Sequence, residues 1–175
     1  MTTPVVDPLV IETMTNLSVC LRDTLTAFKR PPFVSCLRWS ADYPSADFCD
    51  CGSTIPDPND PEGPALVTNG QAWVQYVRSE PNPNITNLAS QCYATQWQYI
   101  FRYGVWRCFT GEADCEEITN DTLGMLADES ALRAVLGCSG LAGRPIRGLG
   151  IGPLGPDGAC AGVYMELVME GWNDD

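Results

Sequence analysis

The stretch YATQWQYIFRYGVWRCF, residues 93–109, constrains the fold more than any other part of the chain. Thr95, Trp97, Tyr99, Phe101, Tyr103 and Val105 point one way; Gln96, Gln98, Ile100 and Arg102 point the other. A period of two, carried by aromatic and β-branched residues, is the mark of a β-strand. Seventeen residues exceed a usual strand, so a bend is expected near Gly104.

Helical patterns flank this strand. Residues 7–28 place apolar side chains at Val10, Met14, Leu17, Leu21, Leu25 and Phe28, in steps of three and four that make one stripe. Asp7 suits the N-cap and Pro8 the first helical position. The run KRPP, 29–32, ends the helix: its cations complement the terminal dipole and proline cannot continue the ladder. A second helix is expected over 116–137, with Ile118, Met125, Leu126, Leu132, Val135 and Leu136 as its inward stripe and GCSG as its stop.

Shorter strands are expected at 33–39, 71–78, 145–151 and 161–170, and long loops at about 40–70 and 79–92. The order is a helix, three strands, a helix, then one or two strands. It predicts an α+β fold for residues 1–175 as a single domain: a mainly antiparallel sheet packed with two helices.

The chain carries 22 acidic and 10 basic residues, a formal net charge of −12. Binding nucleic acid through its phosphates needs clustered Lys and Arg, and the few here are scattered. No apolar run approaches the roughly 20 residues that span a bilayer. The start, MTTPVVDPLVIE, has no basic segment and no signal core, so the expected setting is a cytosol.

Nine cysteines are many for a reducing compartment, and an odd number leaves at least one unpaired. We read them as buried thiols acting as small hydrophobes, with disulfides and metal left open as alternatives. FCDCG, 48–52, offers Cys49 and Cys51 as metal candidates, but a tetrahedral site wants two spaced pairs. Cys20 and Cys36 complete a set of four only if the fold gathers them. PDPNDPEG, 56–63, carries Asp57 and Asp60 without the spacing of a calcium loop, and reads as solvated. The sequence has no histidine, which excludes His-based triads and dyads. No catalytic set and no cofactor site emerges.

The glycine-rich run GPLGPDGACAG, 152–162, precedes a strand, whereas a phosphate cradle precedes a helix. It reads as a tight turn, with Gly158 free to take positive φ. The turn launches a terminal strand, with Val163, Met165, Leu167 and Met169 on one face. Terminal strands are often edges that pair with something else. These four residues, with Pro56, Asp57 and Asp60 of the long loop, are the candidate assembly interface.

Taken in order, RPP at 30–32, CDCG at 49–52, QAWVQYV at 71–77, WQYIFRYGVWRCF at 97–109, LADESALRAVLGC at 126–138 and PLGPDGACAGVYMELVM at 153–169 resemble small head-to-tail joining proteins of long-tailed actinobacteriophages. The element order is similar to the tail-terminator fold, α-β-β-β-α-β. The resemblance implies a structural virion protein, not an enzyme. It implies a hexameric ring that caps the tail tube and docks to the head-completion or connector protein, with DNA passing through the lumen. It places the protein in the virion neck after assembly in the host cytoplasm, with no membrane partner and no specific hold on DNA. A different neck protein, adaptor or stopper, is the alternative, and a cysteine-based metal or redox module a more distant one. Like charge on the lumen wall would repel DNA phosphates over a Debye length of about 8–10 Å. The Pro/Asp-rich loop at 52–70 departs from the family pattern.

Overall fold

The computed structural model describes residues 7–32, 34–44, 51–55, 62–63, 66–82, 96–108, 115–138, 141, 145–157 and 160–172. In chain order its elements are α1 (Pro8–Ala27), β1 (Val34–Trp39), β2 (Cys51–Ile55), β3 (Leu66–Asn69), β4 (Gln71–Pro81), β5 (Gln96–Cys108), α2 (Cys115–Val135), β6 (Ile146–Asp157) and β7 (Cys160–Trp172). Five strands form one sheet in the order β1-β4-β5-β7-β6, and β2 pairs with β3 in a separate hairpin. Only β1 and β4 run parallel in the main sheet. Apart from the small hairpin the order is α-β-β-β-α-β-β, the expected α+β arrangement.

Alternation along β4, β5 and β7 decides where the core lies. Ala72 and Val74, then Tyr99, Phe101, Tyr103 and Val105, then Val163, Met165, Leu167 and Met169 share one face and one apolar cluster with both helices. α1 buries Val10, Met14, Leu17, Leu21 and Leu25 there, as the sequence stripe predicts, while Phe28, the stripe's last member, caps the helix and is 42% exposed. Each such side chain contributes roughly 1.5–3 kcal/mol on leaving water. Asp7 caps the helix, its carboxylate accepting from the Leu9 N–H at 2.9 Å. The Tyr99 hydroxyl donates to the same carboxylate at 3.1 Å, tying the helix start to β5. Burial, and then the Asp7 bond and charge, push that hydroxyl up to about 12.

α1 ends in a Schellman turn: the Arg30 N–H bonds the Leu25 carbonyl and the Lys29 N–H the Thr26 carbonyl. Its left-handed residue is Lys29, φ 60°. The turn carries Arg30 onto α2, where the guanidinium meets Asp128 through two bonds of 2.9 and 3.0 Å. Arg107 of β5 grips the same carboxylate with two more, of 2.9 and 2.8 Å, and donates to the Arg30 carbonyl. Asp128 is 1% exposed. Burial alone would raise its pKa, but the hydrogen bonds and charges of Arg107 and Arg30 outweigh that and hold it lowered.

This carboxylate corrects the expected rotation of α2. The buried side holds Asp128, Ala131, Leu132 and Val135, while Ile118, Leu123 and Leu126 are exposed. The expected bend at Gly104 is also absent: β5 runs unbroken through it. A Cβ there would stand 2.5 Å from the Val163 carbonyl oxygen and 2.7 Å from the Trp73 ring, so the glycine makes room for an indole lying across the strand.

Asp128→Ala leaves two guanidiniums facing a buried void, and should cost about 3–5 kcal/mol in denaturant unfolding. The lowered carboxyl adds a pH signature. Its contribution is complete above its ordinary value of 3.8 and is lost as pH falls from there through the folded value. Asp128→Asn should lack that acid-side step; an unchanged acid limb would show that the network stabilises nothing.

Candidate assembly surface

Two parallel neighbours cannot be joined by a tight turn, so the chain between β1 and β4 must return along the sheet. It begins that return over the face opposite the helices. Residues 40–44 lie as a strap across three strands. Gln75 of β4 donates to the carbonyls of Ser40 and Asp42. Arg102 of β5 donates to the Ala41 carbonyl at 3.0 Å, and the Trp106 indole N–H to that of Pro44 at 3.1 Å. Tyr43 packs on Tyr164 of β7, ring centres 4.8 Å apart, with the Arg102 guanidinium over its own ring at 4.6 Å. Arg102 in turn pairs with Glu166 at 2.6 Å.

The second face is therefore closed, around Trp73, Trp106, Leu154 and Cys160. Both polar ends of Gln71, the Trp73 indole N–H and Gln75 Oε1 are buried there without a hydrogen-bond partner. Such groups cost roughly 1–3 kcal/mol each, so packing of the indoles must carry this face.

Val163, Met165, Leu167 and Met169 lie in the protein's own core, and β7 sits between β5 and β6. This corrects their reading as an assembly surface. The glycine-rich run prolongs β6 into a hairpin with β7, so the last strand is covered on both sides. The positive φ in its described part falls at Gly155, +81°; Gly158 lies outside the described residues. Pro56, Asp57, Asp60 and Cys49 also lie outside them, and of Cys51 only the backbone is described.

The open edges are β1 and β6. On β1 Leu37 is 50% and Trp39 80% exposed, although both share a side with the helices. Ser18 of α1 meets Ser35 at 2.8 Å. The helix runs antiparallel to β1, because its start sits on Tyr99, opposite Ser79, and its end on Arg107. Ile11, two turns before Ser18, is about 10 Å toward the Trp39 end. Trp39 is about 13 Å beyond Ser35 in the same direction. Ile11, 49% exposed, lies on the same side of the sheet as Leu37 and Trp39.

The cysteines depart from the thiol reading. Cys20 on the buried side of α1 is bonded to Cys138, just beyond α2, because the two helices pack antiparallel. Cys108 and Cys160 are disulfide-bonded as well, while Cys36 and Cys115 are free thiols. Cys20 is thereby withdrawn from any thiolate set, and among the described residues no group of His, Cys, Asp and Glu is placed to hold a metal. An open groove of about 470 Å³ lies over the Cys20–Cys138 bond, between Asn16, Asp23 and Ala27 of α1 and Ala134 and Gly137 of α2. Among the described residues no helix is long and apolar enough to cross a membrane.

The Cys20–Cys138 bond closes a separation of 118 residues. Removing it should cost roughly 2–4 kcal/mol. The double variant Cys20→Ser/Cys138→Ser should show this as a lowered thermal midpoint; an unshifted midpoint would mean that packing alone fixes the helix pair. No protein-family model matches the sequence, and no curated protein matches it.

Proposed function

We propose that this chain is a structural protein of a tailed phage particle, a tail terminator. Copies of it close into a ring, hexameric in the form we favour, that caps the tail tube and offers a docking face to the head connector. DNA passes through the lumen without being held.

One observation carries this reading: the sheet ends in two different open edges, and one is lined by exposed apolar side chains. A ring needs a heterologous contact, two unlike surfaces on each copy that meet around an axis. A five-stranded sheet with unlike edges supplies such a pair. The order of elements, with both helices on one face, agrees with the arrangement expected from the resemblance. The net charge of −12 on each copy multiplies around a ring, and where it faces the lumen it keeps DNA phosphates from adhering over a Debye length of about 8 Å.

Light scattering and negative-stain microscopy of the purified protein, alone and mixed with assembled tail tubes, test this. Closed rings, free or seated on tube ends, are the expected result. A protein that stays monomeric and never decorates a tube end is not a terminator.

A further inference from the structure

Resting on the ring reading above, we propose which surfaces join its copies: residues 147–152 of β6 on one copy pair antiparallel with β1 of the next, continuing the five-stranded sheet.

Natural edge strands are commonly protected by charged side chains, lysine above all, by proline or by a bulge. Among the described residues β1, VSCLRW, has no lysine, proline or bulge, and its one charge is Arg38. β6 carries Pro153 and Pro156 in its second half; 146–152 contains no proline, one charge, Arg147, and one bulge, between Gly148 and Gly150. The proline-free lengths match: six residues on β1 and seven on β6.

Direction follows from the sheet. β4 runs with β1, β5 against it, β7 with it and β6 against it. Rotation of copies about an axis along the strands therefore sets β6 antiparallel to the next β1, the more stable pairing.

The faces restrict the register to alternate positions. Cys36 and Arg38 lie opposite Trp73 and Gln75, on the strap side. Gly150 and Gly152 lie opposite Glu166 and Tyr164, on that same side. Setting Arg38 against Gly150 brings Leu37 to Ile151 and, with Leu149 in the bulge, Trp39 to Gly148. Arg38 and Trp39 then each meet a glycine, Gly150 and Gly148. A Cβ added at Gly150 meets nothing within 4 Å. Glycine within a strand often marks a bulge or the close approach of another backbone; Gly150 flanks the bulge of β6, and its open side leaves room for a neighbouring strand.

Charge agrees. In a chain with 22 acidic residues, 34–39 and 146–152 hold no carboxylate, and their only charges are Arg38 and Arg147. These edges can approach where the remaining surface repels.

The test is a cross-link. In a Cys36→Ser/Cys115→Ser background, Arg38→Cys and Gly150→Cys are introduced together, and each alone. After mild oxidation, the double variant should give a ladder of dimers, trimers and higher species on non-reducing gels; neither single variant should. Separately, Trp39→Lys, at a position too exposed to affect folding, should raise the concentration of half-assembly by at least about tenfold, read by light scattering. Rings that form with no ladder, and that ignore Trp39→Lys, would overturn the edge pairing and leave the ring reading standing. Monomers at every concentration, without a ladder and without rings on tube ends, would remove both.

Discussion

One buried carboxylate organises the helix layer. Asp128 sits where β5, the end of α1 and the middle of α2 converge, and two guanidiniums reach it from two of those elements. Taking three charges out of water is expensive, so such a cluster adds little net stability over apolar packing. Its effect is geometric. Four directional bonds permit one rotation of α2 and one path for the chain leaving α1. Gly124 lies in the same arrangement: a Cβ there would stand 2.9 Å from the Arg30 guanidinium. With α2 so fixed, Leu132 and Val135 enter the core, and Ile118, Leu123 and Leu126 are left outside.

The second constraint is the parallel pairing of β1 with β4. It obliges the chain to travel back along the sheet, and the helices already occupy one face. Residues 40–44 begin that return over the other face, as a strap held by Gln75, Arg102 and Trp106. That explains how Trp73, fully buried, and Trp106, 4% exposed, lie on the side away from both helices.

The sequence revealed what depends on local periodicity. The Val10 to Leu25 stripe, the Asp7 cap and the alternation from Trp97 to Val105 each repeat within a few residues, and each is found in place. It concealed what depends on distant partners. Nothing in the sequence around Asp128 marks it as buried, because the two arginines that hold it are 98 and 21 positions away. The bond from Cys20 to Cys138 spans 118 residues and leaves no mark in spacing. The alternation of Val163 to Met169 showed a strand correctly and its place in the sheet wrongly. A glycine-rich lead could be a free turn or part of a strand, and only the pairing of β6 with β7 decides that the last strand is interior. Of the candidate surface, the signal present was the bareness of β1: six residues with no proline, no lysine and an exposed-side tryptophan.

Acidity and assembly act together in such a chain. Surfaces rich in carboxylates repel one another, and salt screens that repulsion only beyond about 8 Å at physiological strength. Copies in contact are closer than that, so any joint must fall where carboxylates are missing. Backbone hydrogen bonds suit such a place, because they are directional, uncharged and already half supplied by an edge strand. An exposed tryptophan adds apolar area without adding charge. In the proposed ring, a net charge of −12 on each copy would therefore leave the sheet edges, free of carboxylates, as the surfaces where contact costs least.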